Sequence, residues 1–460
     1  ANYQVNPETV YFNHRGAFPP IEMDTNPAII PDALIVPHDK FITDTTMRDG
    51  AQDPHFAILP TTTRLKFYDL LHELDNNTGC IRQVEAFIYQ ERDIWTLERL
   101  LGRGYEYPQV TTWTRALPKD IKMLVDISQG RIKETGMLAS SSDHHIFDKL
   151  GHRSKADAIE RYLAPIMTAC GYDIRPRIHL EDTTKADIFG FVLPFMQRVL
   201  KETNGWAKFR ICDTIGWGSP DPYAALPVGI PKLVSTLLSE TGAELEFHGH
   251  NDFGLATANS IAAWRYGCKS VNVSFAGLGE RTGNTSLEQI IAAYIRIYGD
   301  PGFKLSVLSD IRDLFSEEVI DIPKKQPIIG KVFTTQAGIH QTGMSRGYEA
   351  QGGPIYLAFD ASLIGDHVEE HNLIGALSGM DGIVSVLNQQ IKKETNIKGK
   401  YTTRSKVIKY IYDRIQQEYD GVYDNATDSL VGQRRTFFTS EEILIISEEY
   451  LSKQKTPVFQ

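Results

Sequence analysis

Apolar positions along the chain alternate between two rhythms. Short strand-like runs lie at 40–45, 81–88, 109–114, 132–139, 177–181, 208–213, 243–248 and 270–275. Each is followed by an amphipathic stretch of helical period, beginning near Thr62, Ile94, Lys119, Ala156, Ile188, Ile230, Leu255 and Ser286. Eight alternations over roughly 260 residues match the count and size of a (β/α)8 TIM barrel. A doubly wound open sheet is the alternative, but it carries a glycine-rich phosphate turn after its first strand. Here that strand ends in Thr45-Thr-Met-Arg-Asp-Gly50 instead. The barrel is therefore expected over 37–300. Ahead of it, 1–36 is rich in Pro and Asn and reads as an N-terminal extension lying on the barrel or a partner. Beyond Pro301 the rhythm breaks. The Gly-rich stretch 328–341 shows no clear helix, Gly-Gly-Pro follows at 352–354, and helical pieces at 383–394, 404–419 and 440–451 close the chain. The expectation is a linker arm or first subdomain over 301–380 and a helical subdomain over 381–460.

The net charge of −10 points away from nucleic acid and from anionic membrane surfaces, although local basic pockets could still hold anions. Cys80, Cys170, Cys212 and Cys268 are widely spaced, with no CxxC pair and no disulfide framework. No apolar run approaches membrane-spanning length, and the N-terminus lacks a signal pattern. Together these predict a cytoplasmic protein with reduced thiols.

In such barrels the chemistry sits where strands end. Arg48 and Asp49 follow strand one, Glu85 lies on strand two and Arg115 follows strand three. Strand four runs into Ser140-Ser-Ser-Asp-His-His145, strand five into Glu181-Asp-Thr-Thr184 and strand six into Asp213 and Thr214. His248 and His250 end strand seven, and Glu280 and Asn284 follow strand eight. Polar groups thus converge on one rim, as an active site requires.

Residues two apart on a strand face one side, so His248 and His250 can reach one cation. Asp49 is the candidate third ligand. Two imidazoles and a carboxylate leave coordination positions open, as a catalytic metal needs. A bare His-X-His is usually chance alternation; the flanking residues decide here. Arg48 could neutralise charge building on a carbonyl oxygen. Glu181 could serve base chemistry, against the ordinary reading of a solvated pair with Asp182. Gly277, Gly279 and Gly283 could let backbone approach a ligand or the metal closely, or could be turn glycines.

Asp44-Thr-Thr-Met-Arg-Asp-Gly-Ala-Gln52, His248-Gly-His-Asn-Asp252 and Gly277-Leu-Gly-Glu-Arg-Thr-Gly-Asn284 together resemble the signature of the isopropylmalate/homocitrate synthase family. These are metal-dependent barrel enzymes that condense acetyl-CoA with a 2-oxo acid. The resemblance implies a divalent metal, Mn ahead of Co, Mg or Zn, on Asp49, His248 and His250, with Asn284 a ligand or close neighbour. It implies Arg48 as a catalytic and substrate-binding residue, Thr214 as a hydrogen bonder to the substrate carboxylate, and Gly277, Gly279 and Gly283 as the place where backbone meets CoA. His340 resembles the family's catalytic His, which enters the neighbouring subunit's site; a homodimer with shared active sites follows. Ile81-Arg-Gln-Val-Glu85, Lys133-Glu-Thr-Gly-Met137 and the run from His179 to Gly190 resemble the branch that takes oxaloacetate, with 2-oxoglutarate as the alternative acceptor. Glu85 and Arg115 share the rim, and Arg115 is the expected partner of the far carboxylate, with Arg82 competing. A lyase on the same metal barrel is a different reading; the C-terminal arm argues against it. Two departures stand out: Ser378-Gly-Met-Asp381 replaces the family's Ser-Gly-Lys-His, and no His precedes Ser140–Ser142.

Overall fold

Eight parallel strands close in sequential order into a barrel. They are β1 (Phe41–Asp44), β2 (Ile81–Ala86), β3 (Gln109–Arg115), β4 (Glu134–Ser140), β5 (Arg175–Glu181), β6 (Lys208–Asp213), β7 (Glu244–Gly249) and β8 (Ser270–Val273). Each is followed by a helix: α1 (Thr61–Asp75), α2 (Glu91–Gly102), α3 (Pro118–Ser128), α4 (Lys155–Gly171), α5 (Leu193–Glu202), α6 (Ile230–Thr241), α7 (Ala256–Tyr266) and α8 (Leu287–Tyr298). This is the expected (β/α)8 barrel. The structure, a computed structural model, describes residues 39–349, 356–368, 372–395 and 401–455. The expected extension over 1–36 and the Gly-Gly-Pro at 352–354 lie outside the described residues.

Local chemistry sets the element ends. The Ser154 hydroxyl accepts from the Asp157 N–H and caps α4, while α6 stops at Gly242, whose φ of 64° is left-handed. The helix expected near Ile188 begins as a π-helical turn, Ile188–Val192, before α5. A second π-helical turn, His144–Lys149, follows β4.

The strands alternate in a way that divides inside from outside. Ile178, Leu180, Phe209, Ile211, Leu245, Phe247, Val271 and Val273 are buried on the helix-facing side. The residues between and beside them fill the barrel, and six of these are charged. Arg177 on β5 donates across the barrel to Glu85 on β2 at 2.6 Å and to Glu134 on β4 at 2.7 Å. Arg210 on β6 donates to Glu246 on β7 at 2.7 Å, and Lys208 contacts Glu134 at 2.8 Å. All six side chains are buried. Branched aliphatic residues usually dominate this space. Buried ion pairs add little net stability once desolvation is counted, but leaving one partner unpaired is costly.

A ninth barrel-side helix, α9 (Val307–Glu318), packs on α1. Phe67 and Phe315 meet edge to face with centroids 5.3 Å apart, and Thr63 donates to Glu318. The described residues through Gly330 form one compact unit, and those from Lys331 form a second. The barrel body thus runs past the expected limit at 300, because α9 buries its own stripe of Val307, Leu308, Ile311 and Phe315.

The second unit holds α10 (Gly338–Glu349), α11 (Met380–Thr395), α12 (Lys406–Asp420), a hairpin of β9 (Val422–Asp424) and β10 (Ser429–Val431), and α13 (Ser440–Lys455). The last three helices fall where helical pieces were expected. α10 corrects the reading of 328–341 as free of helix. Gly338 is there for close approach: a Cβ would sit 2.9 Å from the Gly379 nitrogen. Ile374, Ile383, Leu387, Ile408, Ile411, Ile415 and Ile443 form an aliphatic core with no exposed surface. No described helix is long and apolar enough to cross a membrane.

Candidate metal centre and active site

The β1 end, Thr45 to Asp49, folds back on itself through Arg48 N–H and Gly50 N–H, both donating to the Thr45 carbonyl at 3.0 Å. This turn aims Asp49 at the end of β7. Asp49 Oδ2 lies 3.2 Å from His248 Nε2 and 3.6 Å from His250 Nε2, and the two Nε2 atoms are 3.2 Å apart. One ligand atom from each residue therefore falls within 4.8 Å of the others, all three side chains being buried.

The protonation states suit a cation. Burial opposes the Asp49 charge, but Arg48, His248 and His250 outweigh it and hold the carboxyl well below the usual range. Burial, then the neighbouring His248, lowers His250 to about 4. The His248 Nδ1 pairs with Asn272 Oδ1 at 2.8 Å, and Asn272 in turn donates to the Thr43 hydroxyl at 2.9 Å. With Nδ1–H donating, the lone pair of His248 is left on Nε2, toward Asp49. Asn284 forms an isolated bridge with His250, donates its Nδ2 to the Leu278 carbonyl at 2.9 Å, and leaves Oδ1 buried without a partner. An orphaned buried carbonyl is an unmet acceptor, which a cation beside it would satisfy. The donor set of two imidazoles, a carboxylate and an amide oxygen fits a divalent metal.

Arg48 lies beside this cluster, with Nη1 3.7 Å from Asp49 Oδ2 and Nε donating to Glu85 Oε2 at 3.1 Å. Glu85 Oε2 also accepts from Thr45, and Oε1 is held by Arg177 and Arg210. Burial opposes its charge, yet Arg210, Arg177 and Arg48 hold it well below the ordinary range. Both oxygens are thus engaged, so Glu85 anchors Arg48 and does not sit as a free substrate contact.

Glu181 ends β5 among donors. Lys149 reaches its two oxygens at 2.8 and 2.9 Å, His145 Nδ1 lies 3.1 Å away, and Ser140 donates to it as well. Burial opposes ionisation, but Lys149 and Ser140 lower the carboxyl below its usual value. A carboxylate so held is a weak base. At the end of β6, the Thr214 hydroxyl accepts from the Asp182 N–H at 2.8 Å, which leaves its own proton to donate.

The glycines of the β8 loop have internal reasons. A Cβ on Gly283 would meet the Gly277 carbonyl at 1.8 Å, and one on Gly279 would meet Asn284 Nδ2 at 2.3 Å. They let the loop fold tightly enough to present Asn284. Arg115 does not join the cluster: its guanidinium pairs with Asp120 at 2.8 and 3.1 Å and is half exposed. The cause is local, since Asp120 sits in the first turn of α3. Arg82 stacks on Phe41, its guanidinium carbon 3.8 Å from the ring centre, and donates to the Gly79 carbonyl. His340 lies on α10 in the second unit, stacked on Tyr356 with ring centroids 4.1 Å apart.

Sequence reasoning missed Asn272, the charged interior beneath Arg48, and the Lys149–His145 pair on Glu181. The signal for the interior was present. Arg177-Ile-His-Leu-Glu181, Lys208-Phe-Arg-Ile-Cys212 and Glu244-Leu-Glu-Phe-His248 alternate charge with apolar residues. That pattern usually marks a solvated face.

A family model described as HMGL-like matches residues 40–315, and the chain belongs to this family. It is 38% identical over 411 residues to the citrate (Re)-synthase of Clostridium kluyveri, covering 86% of each chain. It is 36% identical to the citrate (Re)-synthase of Syntrophus aciditrophicus over 86% of this chain and 63% of that one. It is 28% identical to 2-isopropylmalate synthase 2 of Caldanaerobacter subterraneus over 75% of this chain and 84% of that one. The resemblance to isopropylmalate and homocitrate synthases read from the three motifs holds, and the protein is an enzyme of the HMGL-like family.

Proposed function

We propose that this enzyme condenses acetyl-CoA with oxaloacetate and hydrolyses the thioester, giving citrate and CoA. The observation that carries the chemistry is the convergence of Asp49, His248 and His250 beside Arg48. The choice of acceptor rests on the likeness to two citrate (Re)-synthases. A divalent cation held by these three residues and Asn284, Mn being our choice, would supply Lewis-acid polarisation of the ketone. The thioester methyl loses a proton, its carbon forms a bond to the ketone carbon, and the ketone oxygen takes up the electron pair and then a proton. Water then cleaves the thioester and releases the CoA thiol. Arg48, fixed by Glu85, neutralises the negative charge that grows on the ketone oxygen. The Thr214 hydroxyl donates to the acid's 1-carboxylate. Glu181 stays ionised and orients the π-helical turn that carries His145 and Lys149. We assign the base to His340, supplied from a second copy of the chain in a homodimer. Nothing places Arg115 as the far-carboxylate contact, and that role is withdrawn from it.

The test is thiol release from acetyl-CoA with Mn, offered oxaloacetate, 2-oxoglutarate, 2-oxoisovalerate and pyruvate in turn. Oxaloacetate should react fastest. A preference for 2-oxoglutarate makes the product homocitrate, and a preference for 2-oxoisovalerate ends the dicarboxylate reading. Mixing inactive His340→Ala and inactive Asp49→Ala chains should restore part of the activity. No recovery despite proven subunit exchange would refute the shared site.

A further inference from the structure

Arg281 occupies the β8 loop with φ of 58°, the left-handed region that glycine fits better. Its neighbours show what the arginine is for. Nε donates to Asp252 Oδ1 at 2.8 Å and Nη2 to Asp252 Oδ2 at 2.9 Å, a fork on the loop after β7. Nη2 also donates to the Thr214 carbonyl at 2.7 Å, on the loop after β6. One side chain thus fastens three consecutive strand ends. Backbone bonds already lace the β8 loop to β7: Asn251 N–H to the Gly283 carbonyl at 2.9 Å, and Thr285 N–H to the Gly249 carbonyl at 3.2 Å. Arg281 carries the lacing on to β6, where Thr214 stands.

Stability does not explain this arrangement. The Arg281 side chain is 41% exposed, and even a forked pair that opens to water contributes only modestly, against which the left-handed backbone must be set. A strained backbone held by a pair of small net worth points instead to placement of neighbouring groups. The groups within its span are the Thr214 hydroxyl, His250 and Asn284 Oδ1.

We propose that Arg281 is a positioning residue, clamping the loops after β6, β7 and β8 so that Asn284 faces the divalent cation and Thr214 faces the oxo acid's carboxylate. The assignment rests on the metal-dependent condensation proposed above. Its closing experiment reads metal uptake separately from turnover.

Arg281→Gly removes the clamp and relieves the left-handed backbone. Mn titration by calorimetry should show affinity weakened about tenfold, the scale of losing an outer partner of a metal ligand. The KM for oxaloacetate should rise by a similar factor, the KM for acetyl-CoA should stay put, and the thermal midpoint should hold or rise. Asp252→Asn should move Mn affinity and the oxaloacetate KM in the same direction by less. The double variant should be no worse than Arg281→Gly, since both act through one contact. If Arg281→Gly does not fold, Asp252→Asn alone carries the test. Unchanged Mn affinity and KM, or a lowered midpoint with every constant falling together, overturns the proposal. A wild type that binds Mn yet releases no thiol with any oxo acid sinks the reaction, while the Mn titrations still decide the clamp. A wild type that takes up no Mn overturns both.

Discussion

The two units of this protein are built on opposite interiors. The helical unit closes over Ile374, Ile383, Leu387, Ile408, Ile411, Ile415 and Ile443, all without exposed surface. The barrel closes over Arg177, Arg210, Lys208, Glu85, Glu134 and Glu246, almost equally buried. An aliphatic core gains free energy for each group it hides and tolerates shape-conserving exchange. A charged interior gains little on balance, but it holds each member in one place because every partner needs the other. Glu85 illustrates the use of that rigidity. It binds Arg177 and Arg210 below and Arg48 above, and so transmits the geometry of the barrel wall to the residue beside the candidate metal ligands.

The contrast can be broken at several points. His248→Ala should have the largest effect, because it removes a proposed metal ligand without touching either core. Turnover should drop by about a thousandfold or more, the scale of several kcal/mol of Lewis-acid stabilisation. Calorimetric Mn uptake should vanish while urea unfolding barely shifts. An active, metal-free variant would refute the site. Glu85→Gln should come next in stability, at about 3–5 kcal/mol, since it strips the counter-charge from buried arginines. It should also slow turnover through Arg48. Ile411→Ala in the helical unit should cost about 2–4 kcal/mol by leaving a cavity, with the barrel's own unfolding unchanged. If both variants moved a single shared transition, the units would be one cooperative body. Asn272→Ala leaves His248 without its orienting partner and should weaken Mn binding about tenfold or more with the fold intact; affinity equal to wild type would show that the pair does not matter.

The smallest effect is one of pH. Asp44 is fully buried, and burial pushes its carboxyl up to about 7 against the pull of its bonds from Thr46. The unfolded chain loses this proton near 3.8 and the folded chain only near 7. Stability from the group is therefore present below about 4 and lost as pH rises through about 7. Asp44→Asn should raise stability at pH 8 and leave it nearly unchanged at pH 4, read from urea midpoints. An equal difference at both pH values would contradict the assignment.

The sequence by itself determined the barrel and the candidate metal set. Eight alternations of strand and helix leave few ways to bury both faces of a parallel sheet. The spacing of His248 and His250 puts both rings on one side of β7 whatever surrounds them. The barrel rim could be listed from strand ends, and Arg48, Asp49 and Asn284 all came to the cluster. What only the tertiary structure decided was how long side chains were spent. Arg115 looked free on its strand end, but Asp120 in the next helix claims its fork. Glu85 looked free, yet Arg48 from the loop after β1, Arg177 from β5 and Arg210 from β6 converge on it. Glu181 looked like a base until Lys149, His145 and Ser140 closed on it. Charged side chains pair with whatever the fold brings within reach, and strand periodicity fixes only the direction in which they start. α9 was missed because a helix after a proline-marked break reads as linker until the apolar groove it covers is known.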